Sequence, residues 1–290
     1  MSHESLEKFG PVKKNVVEDN LESDESIMAG AEEKDAAHTN ELDGSQVDSA
    51  PGKEADDASE ELEWRPEYKK KAIRSYVIRA GRMTEGQKNA FSRCWPQYGL
   101  SLFDGSIDYT EVFEREAPTV LEVGFGMGAS LLQMAEAESD KNFIGIEVHP
   151  PGVGRIINCA REQEVGNLKV YMADAVDVLT DCIPDNSLDR FQLYFPDPWH
   201  KKKHNKRRIV QREFMALVQQ KLRVGGLIHL ATDWHEYAEH MMEVMSTMEG
   251  LTNCAGEYLF AEKPDFRPTT KFETRGEKLG HGVWDLLFTK

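Results

Sequence analysis

The sequence has few cysteines and no long apolar segment. Its 290 residues include four cysteines, which are far apart and form no Cys-x-x-Cys pair. Neither a disulfide framework nor a cysteine-based zinc site is therefore expected. No apolar run approaches the roughly 18 residues of a membrane span, and no secretory leader is visible. These absences predict a soluble, cytoplasmic protein without membrane association.

Histidines with the spacing of metal ligands are also scarce. His200 and His204 stand four residues apart, which would suit two ligands on one helix face, but they lie among lysines. Because like charges oppose a cation there, contact with nucleic acid or solvent is favoured, and no metal site is predicted.

The first 63 residues are poor in aromatic and basic side chains. They contain 19 Asp/Glu against 5 Lys/Arg, a net charge of −14, and Phe9 is their one aromatic residue. Such a segment buries too little apolar surface to offset the entropy lost on ordering. Residues 1–63 are predicted to be an acidic, disordered tail, and a solubilising role is favoured over a regulatory one.

A basic stretch follows the acidic one. Residues 64–93 carry nine Lys/Arg against two Glu, with aromatic residues interleaved. A solvated charge run is the common explanation, but a second basic cluster at 201–208 favours a joint phosphate-binding face. We predict a basic arm and helix over 64–96, with the helix running from Thr84 to Trp95 and stopping before Pro96.

Residues 119–128, TVLEVGFGMG, read as a buried strand, a glycine turn and the start of a helix. Gly124, Gly126 and Gly128 permit positive φ and let a ligand approach the backbone, and the helix N-terminus offers free N–H groups. The glycine spacing by itself leaves NAD, FAD and S-adenosylmethionine open as ligands.

Acidic residues end the strand predicted here and the three that follow. Glu122 lies near the end of the first strand, and Glu147 follows Gly124 by 23 residues, where a carboxylate typically binds ribose hydroxyls. Asp174 suits either the base of a ligand or a helix N-cap. Asp197 lies between two prolines, which hold it rigidly at the carboxyl end of a strand.

The order of elements predicts an α/β fold. About five parallel βα units and a terminal hairpin-like pair indicate one doubly wound domain. The segment KKKHNKRR, Lys201–Arg208, carries six positive charges in eight residues and should surround the mouth of the ligand site. Its phosphate contacts would supply affinity without base choice.

Five stretches together resemble the bacterial tRNA (guanine-N7-)-methyltransferases: LEVGFGMG, GIEVHPPGVG, LYFPDPWHKKKHNKRR, ATDWHEYAEHM and TKFETRGEKLGHGVWDL. The resemblance spans roughly residues 64–290, and the basic run and TKFETRG are its most specific parts. It implies a class I methyltransferase domain at 97–290, with a mostly parallel seven-stranded sheet and helices on both faces. It also implies S-adenosylmethionine as the methyl donor, with no metal, and a guanine of the tRNA variable loop as the acceptor.

The resemblance further implies roles for particular residues. The donor would be bound by Glu122, Gly124, Gly126, Gly128, Glu147, Asp174 and Asp197, and Asp197 would also be catalytic. Substrate-binding positions would be Lys201, Asp233, Thr270, Lys271, Phe272 and Glu273. The tRNA contacts would be Lys203, His204, Asn205, Lys206, Arg207 and Arg208.

The chemistry implied needs no general base, because N7 of guanine carries a lone pair and no proton. In-line placement and a fixed carboxylate near the purine would accelerate the transfer, and Asp197 and Glu273 are the candidates. Trp199, Trp234 or Phe272 could stack on the purine, or they could belong to the core.

Three other functions remain open. The Asp-Pro-Trp sequence also resembles the loop of amino-methylating enzymes, so another RNA base or an amine is one alternative acceptor. A non-catalytic RNA-binding protein of the same fold is a second alternative, and an NAD-dependent oxidoreductase is the least favoured. We expect a monomer with tRNA as its partner and no obligatory protein partner.

Overall fold

A computed structural model describes residues 74–76, 83–270, 273 and 282–290. The predicted acidic tail lies outside the described residues, as do most of the basic arm, Lys271 and Phe272. The described part is built around one mixed sheet flanked by helices.

The sheet has eight strands in the order β1-β4-β3-β2-β5-β6-β8-β7. All pairs from β1 to β6 are parallel, and β8 pairs antiparallel with both β6 and β7. This confirms a doubly wound, mostly parallel sheet, with one strand more than the seven expected. The strands are β1 Gly99–Leu100, β2 Thr119–Val123, β3 Asn142–Ile146, β4 Leu168–Tyr171, β5 Leu188–Tyr194, β6 Leu222–Thr232, β7 Thr252–Asn253 and β8 Trp284–Thr289.

Helices cover both faces of the sheet, because the central strands are apolar on both sides. Alternate residues of β2 point to opposite faces, so Val120 joins one hydrophobic cluster and Leu121 joins the other. Helices α1, α3 and α4 pack on the first face, and α5, α6 and α7 pack on the second. The helices are α1 Glu85–Tyr98, α2 Tyr109–Phe113, α3 Ala129–Ala137, α4 Pro150–Glu162, α5 Ala175–Asp181, α6 Arg212–Lys221 and α7 His235–Ser246.

The predicted end of α1 was wrong, for a local reason. Helix α1 begins after the predicted Thr84 cap but runs through Pro96 to Tyr98, since Pro96 falls in the last turn and Tyr98 is buried. Helix α4 begins at Pro150, in the first turn, where a proline needs no N–H partner. Strand β6 begins at Leu222 and contains a glycine pair in its first half.

The methionines of α7 contribute to the core, with Met241, Met242 and Met245 buried. All four cysteines are free thiols. Among the described residues, no helix is long and apolar enough to cross a membrane.

Candidate active site

The turn after β2 exposes its backbone to an open cleft. Gly124 has φ of +75°, and a Cβ added there would meet nothing within 4 Å. Gly128, which caps α3, also has positive φ, but a Cβ added there would lie 2.6 Å from the side chain of Ile156. The turn therefore needs glycine at one end for ligand access and at the other for helix packing.

A cleft of about 830 Å³, including its open mouth, lies at the carboxyl ends of β2, β3, β4 and β5. This is the edge where doubly wound sheets bind ligands. Four of the predicted donor-binding residues line it together: Gly124, Glu147, Asp174 and Asp197. The remaining wall is mainly apolar, which suits a nucleoside with a few fixed polar contacts.

Glu147 ties the glycine turn to the next strand. One carboxylate oxygen accepts from the N–H of Gly126 at 2.8 Å, and the other accepts from those of Val148 at 2.7 Å and His149 at 3.0 Å. Burial raises the pKa of Glu147, and these backbone hydrogen bonds offset part of that increase. The carboxylate is thus held in one orientation, with lone pairs remaining for a ligand.

Asp174 fits both alternatives that the sequence left open. It caps α5 by accepting from the N–H of Val176 at 2.9 Å, and it also lines the cleft. Its second oxygen accepts from the hydroxyl of Tyr76 at 3.1 Å. The segment Arg74–Tyr76 from the basic arm therefore forms part of the cleft wall, which its charge pattern did not indicate.

Glu122 lies behind the glycine turn and is 3% exposed. Its Oε2 is buried and has no hydrogen-bond partner among the described groups. Burial raises its pKa to about 8, with Arg190 lowering it and Glu147 raising it to smaller extents. At neutral pH this carboxyl is mostly protonated in the free protein.

Asp197 is exposed at the mouth of the cleft, on a loop that hydrogen bonds and prolines hold in place. The loop is bounded by two non-glycine residues in the left-handed region, Phe195 at φ 51° and Trp199 at φ 48°. Phe195 donates its N–H to Ala231 at 2.8 Å, and Arg208 Nε donates to the carbonyl of Pro198 at 2.8 Å. These bonds and the two prolines hold Asp197 rigidly.

The basic run forms a 3₁₀ helix over Lys202–Arg207, and its cations point in two directions. Four lysines are exposed: Lys201, Lys202, Lys203 and Lys206. Arg207 stacks on Trp199, 4.0 Å from the ring centroid, and donates to the carbonyls of Arg74 and Tyr76. His204 and Asn205 are half-buried.

The sequence predicts a tRNA contact at Arg208, and the structure buries this side chain. It is 4% exposed, bonds to Pro198 and lies over the ring of Tyr237 at 4.8 Å. The charge pattern could not separate it from its exposed neighbours, because its burial depends on α7.

The two tryptophans considered for purine stacking already have partners. Arg207 covers one face of Trp199, and its Nε1 donates to Ser75 at 3.1 Å. Trp234 lies edge-to-face with His200 at 4.2 Å between centroids.

The predicted substrate positions separate into two groups. Lys201 is exposed and Asp233 is half-buried at the end of β6. Thr270 and Glu273 are joined by two hydrogen bonds, and the Glu273 carboxylate faces the buried Arg267. Glu273 is thus a fixed carboxylate, and an arginine compensates its charge.

A buried polar network behind the cleft was missed from the sequence. Arg267 bonds to Asp285, Asp285 accepts from His229 at 2.6 Å, and His229 meets the hydroxyl of Tyr194 at 2.9 Å. These residues are distant in the chain and carry no motif spacing, so no local pattern could have identified them.

Comparison with known proteins decides the family. Residues 116–286 match the family model described as "Putative methyltransferase". A protein of Saccharophagus degradans named tRNA (guanine-N(7)-)-methyltransferase is 67% identical over 225 residues, which cover 78% of this chain and 98% of that protein. The chain belongs to the tRNA (guanine-N(7)-)-methyltransferase family.

Two further members of this tRNA (guanine-N(7)-)-methyltransferase family give the same result. The protein from Alcanivorax borkumensis is 60% identical over 218 residues, covering 75% of this chain and 91% of its own length. That from Marinobacter nauticus is 55% identical over 232 residues, covering 80% and 98%. The region matched by the methyltransferase model contains every acid at the four strand ends and excludes the acidic segment 1–63.

Proposed function

We propose that the protein transfers the methyl group of S-adenosylmethionine to N7 of a guanine in the variable loop of tRNA. The observation that carries the proposal is the convergence of Gly124, Glu147, Asp174 and Asp197 on one cleft. Membership of the tRNA (guanine-N(7)-)-methyltransferase family supports the acceptor and the atom methylated.

The cleft residues fit a nucleoside-containing donor. The open space over the Gly124 backbone admits a close ligand, and Glu147 offers fixed acceptors for ribose hydroxyls. Asp174 can accept from an adenine amino group, and the Glu122 Oε2 atom behind the turn is a buried polar atom without a partner among the described groups. When bound, the donor supplies an electrophilic methyl group on a positively charged sulfur.

Asp197 then acts by position and charge. Positive charge arrives on the purine as the methyl group transfers, and a fixed carboxylate stabilises charge that develops next to it. Asp197 is exposed at the mouth of the cleft and held by its loop, so it meets that requirement without removing a proton. The Glu273 carboxylate already faces Arg267, which leaves Asp197 as the candidate.

The exposed lysines 201, 202, 203 and 206 supply the tRNA contacts. They lie beside the Asp197 loop and would bind phosphates, which adds affinity and orients the tRNA but does not choose the base. Arg207 and Trp199 serve instead to hold the backbone of residues 74–76 at the cleft wall. We further propose that the enzyme is a cytoplasmic monomer, which gel filtration with light scattering would test.

The deciding experiment uses labelled S-adenosylmethionine and unmodified tRNA transcripts. The product nucleoside is identified by mass, and its position by base-induced strand scission. We expect 7-methylguanosine in the variable loop. A product methylated on an exocyclic amine would replace the proposed acceptor, and binding of tRNA without any transfer would favour a non-catalytic RNA-binding protein.

A further inference from the structure

A single buried arginine connects two parts of the candidate active site. Arg267 is 1% exposed, and its guanidinium donates four hydrogen bonds, two to each of two carboxylates. The bonds to Glu273 measure 2.8 and 3.0 Å, and those to Asp285 measure 2.8 and 2.9 Å. This arrangement uses the planar fork of arginine, which lysine lacks.

The charges around Arg267 are balanced. Lys263 approaches Glu273 at 3.3 Å, so two cations face two carboxylates. Burial disfavours a charged His229 and lowers its pKa, so the ring stays neutral, with Asp285 opposing the shift. Because the Asp285 carboxylate only accepts, His229 donates through Nε2 and receives the Tyr194 hydroxyl at Nδ1.

On one side, Arg267 holds the predicted acceptor-binding segment. The N–H of Thr270 donates to Glu273 Oε2 at 3.2 Å, and the N–H of Glu273 donates to Thr270 Oγ1 at 3.1 Å. Thr270 and Glu273 are therefore bonded to each other in both directions, and the Glu273 carboxylate is bonded to Arg267.

On the other side, Arg267 supports the strand end that carries Asp197. Its guanidinium carbon lies 6.0 Å from the ring centroid of Tyr194 and 5.7 Å from that of Phe195. Both rings line the cleft, and Phe195 is two residues before Asp197. The chain from Asp285 through His229 to Tyr194 makes a second connection to the same strand end.

We propose that Arg267 is a positioning residue for methyl transfer, which sets Thr270 and Glu273 relative to the Asp197 loop. The proposal rests on the proposed function, since these two parts would bind the guanine and stabilise its charge. Transfer needs the reacting atoms about 3–3.5 Å apart, and a displacement of about 1 Å can lower the rate on the order of 100-fold.

The test is the variant Arg267→Lys, which keeps the charge and loses the fork. We expect kcat at saturating donor and tRNA to fall 10- to 100-fold. The dissociation constants of tRNA and S-adenosylhomocysteine should change less than about threefold. The matched control is Arg115→Lys, which loses hydrogen bonds to Asn142, Ser139 and Lys141 at the opposite end of the strands. It should keep kcat while losing thermal stability.

A second variant keeps the test decisive if Arg267→Lys does not fold. Glu273→Gln preserves the shape of the side chain and leaves Arg267 paired with Asp285, so the same separation of kcat from binding is expected. An unchanged kcat in either folded variant would overturn the proposal. So would a loss of kcat only in proportion to tRNA affinity, because that is the behaviour of a binding contact. Failure of the wild-type enzyme to form 7-methylguanosine would instead contradict the proposed function.

Discussion

Replacing Glu122 with glutamine should make the stability of the folded protein less sensitive to pH. Glu122 is buried with one unpartnered oxygen, and its pKa is about 8 when folded, against 4.5 when exposed. Between these values the folded state holds a proton that the unfolded state releases. Rising pH therefore favours unfolding, and the variant, which cannot ionise, avoids this loss.

The magnitude follows from the shift in pKa. Each unit corresponds to about 1.4 kcal/mol, so the contribution of Glu122 approaches about 5 kcal/mol well above pH 8. From pH 6 to pH 8, the free energy of unfolding of Glu122→Gln should rise relative to wild type by about 2 kcal/mol. The difference should flatten above pH 8 and vanish below pH 4.5.

Urea denaturation at several pH values measures this difference directly. Glu243→Gln is the matched control, because it makes the same change at an exposed position of α7. A difference for Glu122→Gln that stays constant with pH, or falls as pH rises, would refute the reasoning about burial.

Three further predictions concern the cleft and the basic run beside it. Asp197→Asn should lower kcat on the order of 100-fold without changing the shape of the pH–rate profile, since the carboxylate stabilises charge and removes no proton. Lys203→Ala should reduce the slope of log K for tRNA against log salt by about 1, whereas Arg208→Ala should destabilise the fold and leave that slope unchanged. Glu147→Gln should weaken S-adenosylhomocysteine binding about 10- to 100-fold, as measured by calorimetry. The single carbonyl oxygen of glutamine can accept from Val148 and His149, but its NH₂ group cannot accept from the N–H of Gly126, so the glycine turn loses a hydrogen bond.

Each of these predictions has a contradicting result. For Asp197, it is a pH dependence near neutrality that disappears in the variant while activity remains. For the two basic residues, it is a salt dependence of tRNA binding that changes in Arg208→Ala and not in Lys203→Ala. For Glu147, it is unchanged affinity in a variant that is folded by circular dichroism.

Much of the donor site was predictable because its signals are local. The apolar run Thr119–Val123 can only be a strand buried on both faces, and the glycines after it must turn the chain. Acids that end successive parallel strands share one edge of a sheet, so Glu147, Asp174 and Asp197 were expected to converge. The Thr84 cap is likewise a local pattern, and the structure contains it as part of a four-residue capping box with Gln87.

The directions of the charges were not predictable, because they depend on elements distant in the chain. Lys203 and Arg208 look alike within KKKHNKRR, yet one is exposed and the other is buried over Tyr237 of α7. The pairing of Glu273 with Arg267 has no counterpart in the motif spacing.

The sequence by itself determined the fold class, the family and the edge of the sheet at which the methyl donor binds. Strand hydrophobicity, turn glycines and motif spacing are properties of short segments, so they can be recognised without the tertiary structure. Only the tertiary structure decided which ionisable groups are paired, buried or free. Their partners, such as Asp285 for His229, are brought together by strand pairing across 56 residues. Desolvation and pairing then set the charge of each group, and neither can be calculated before the neighbours in space are known.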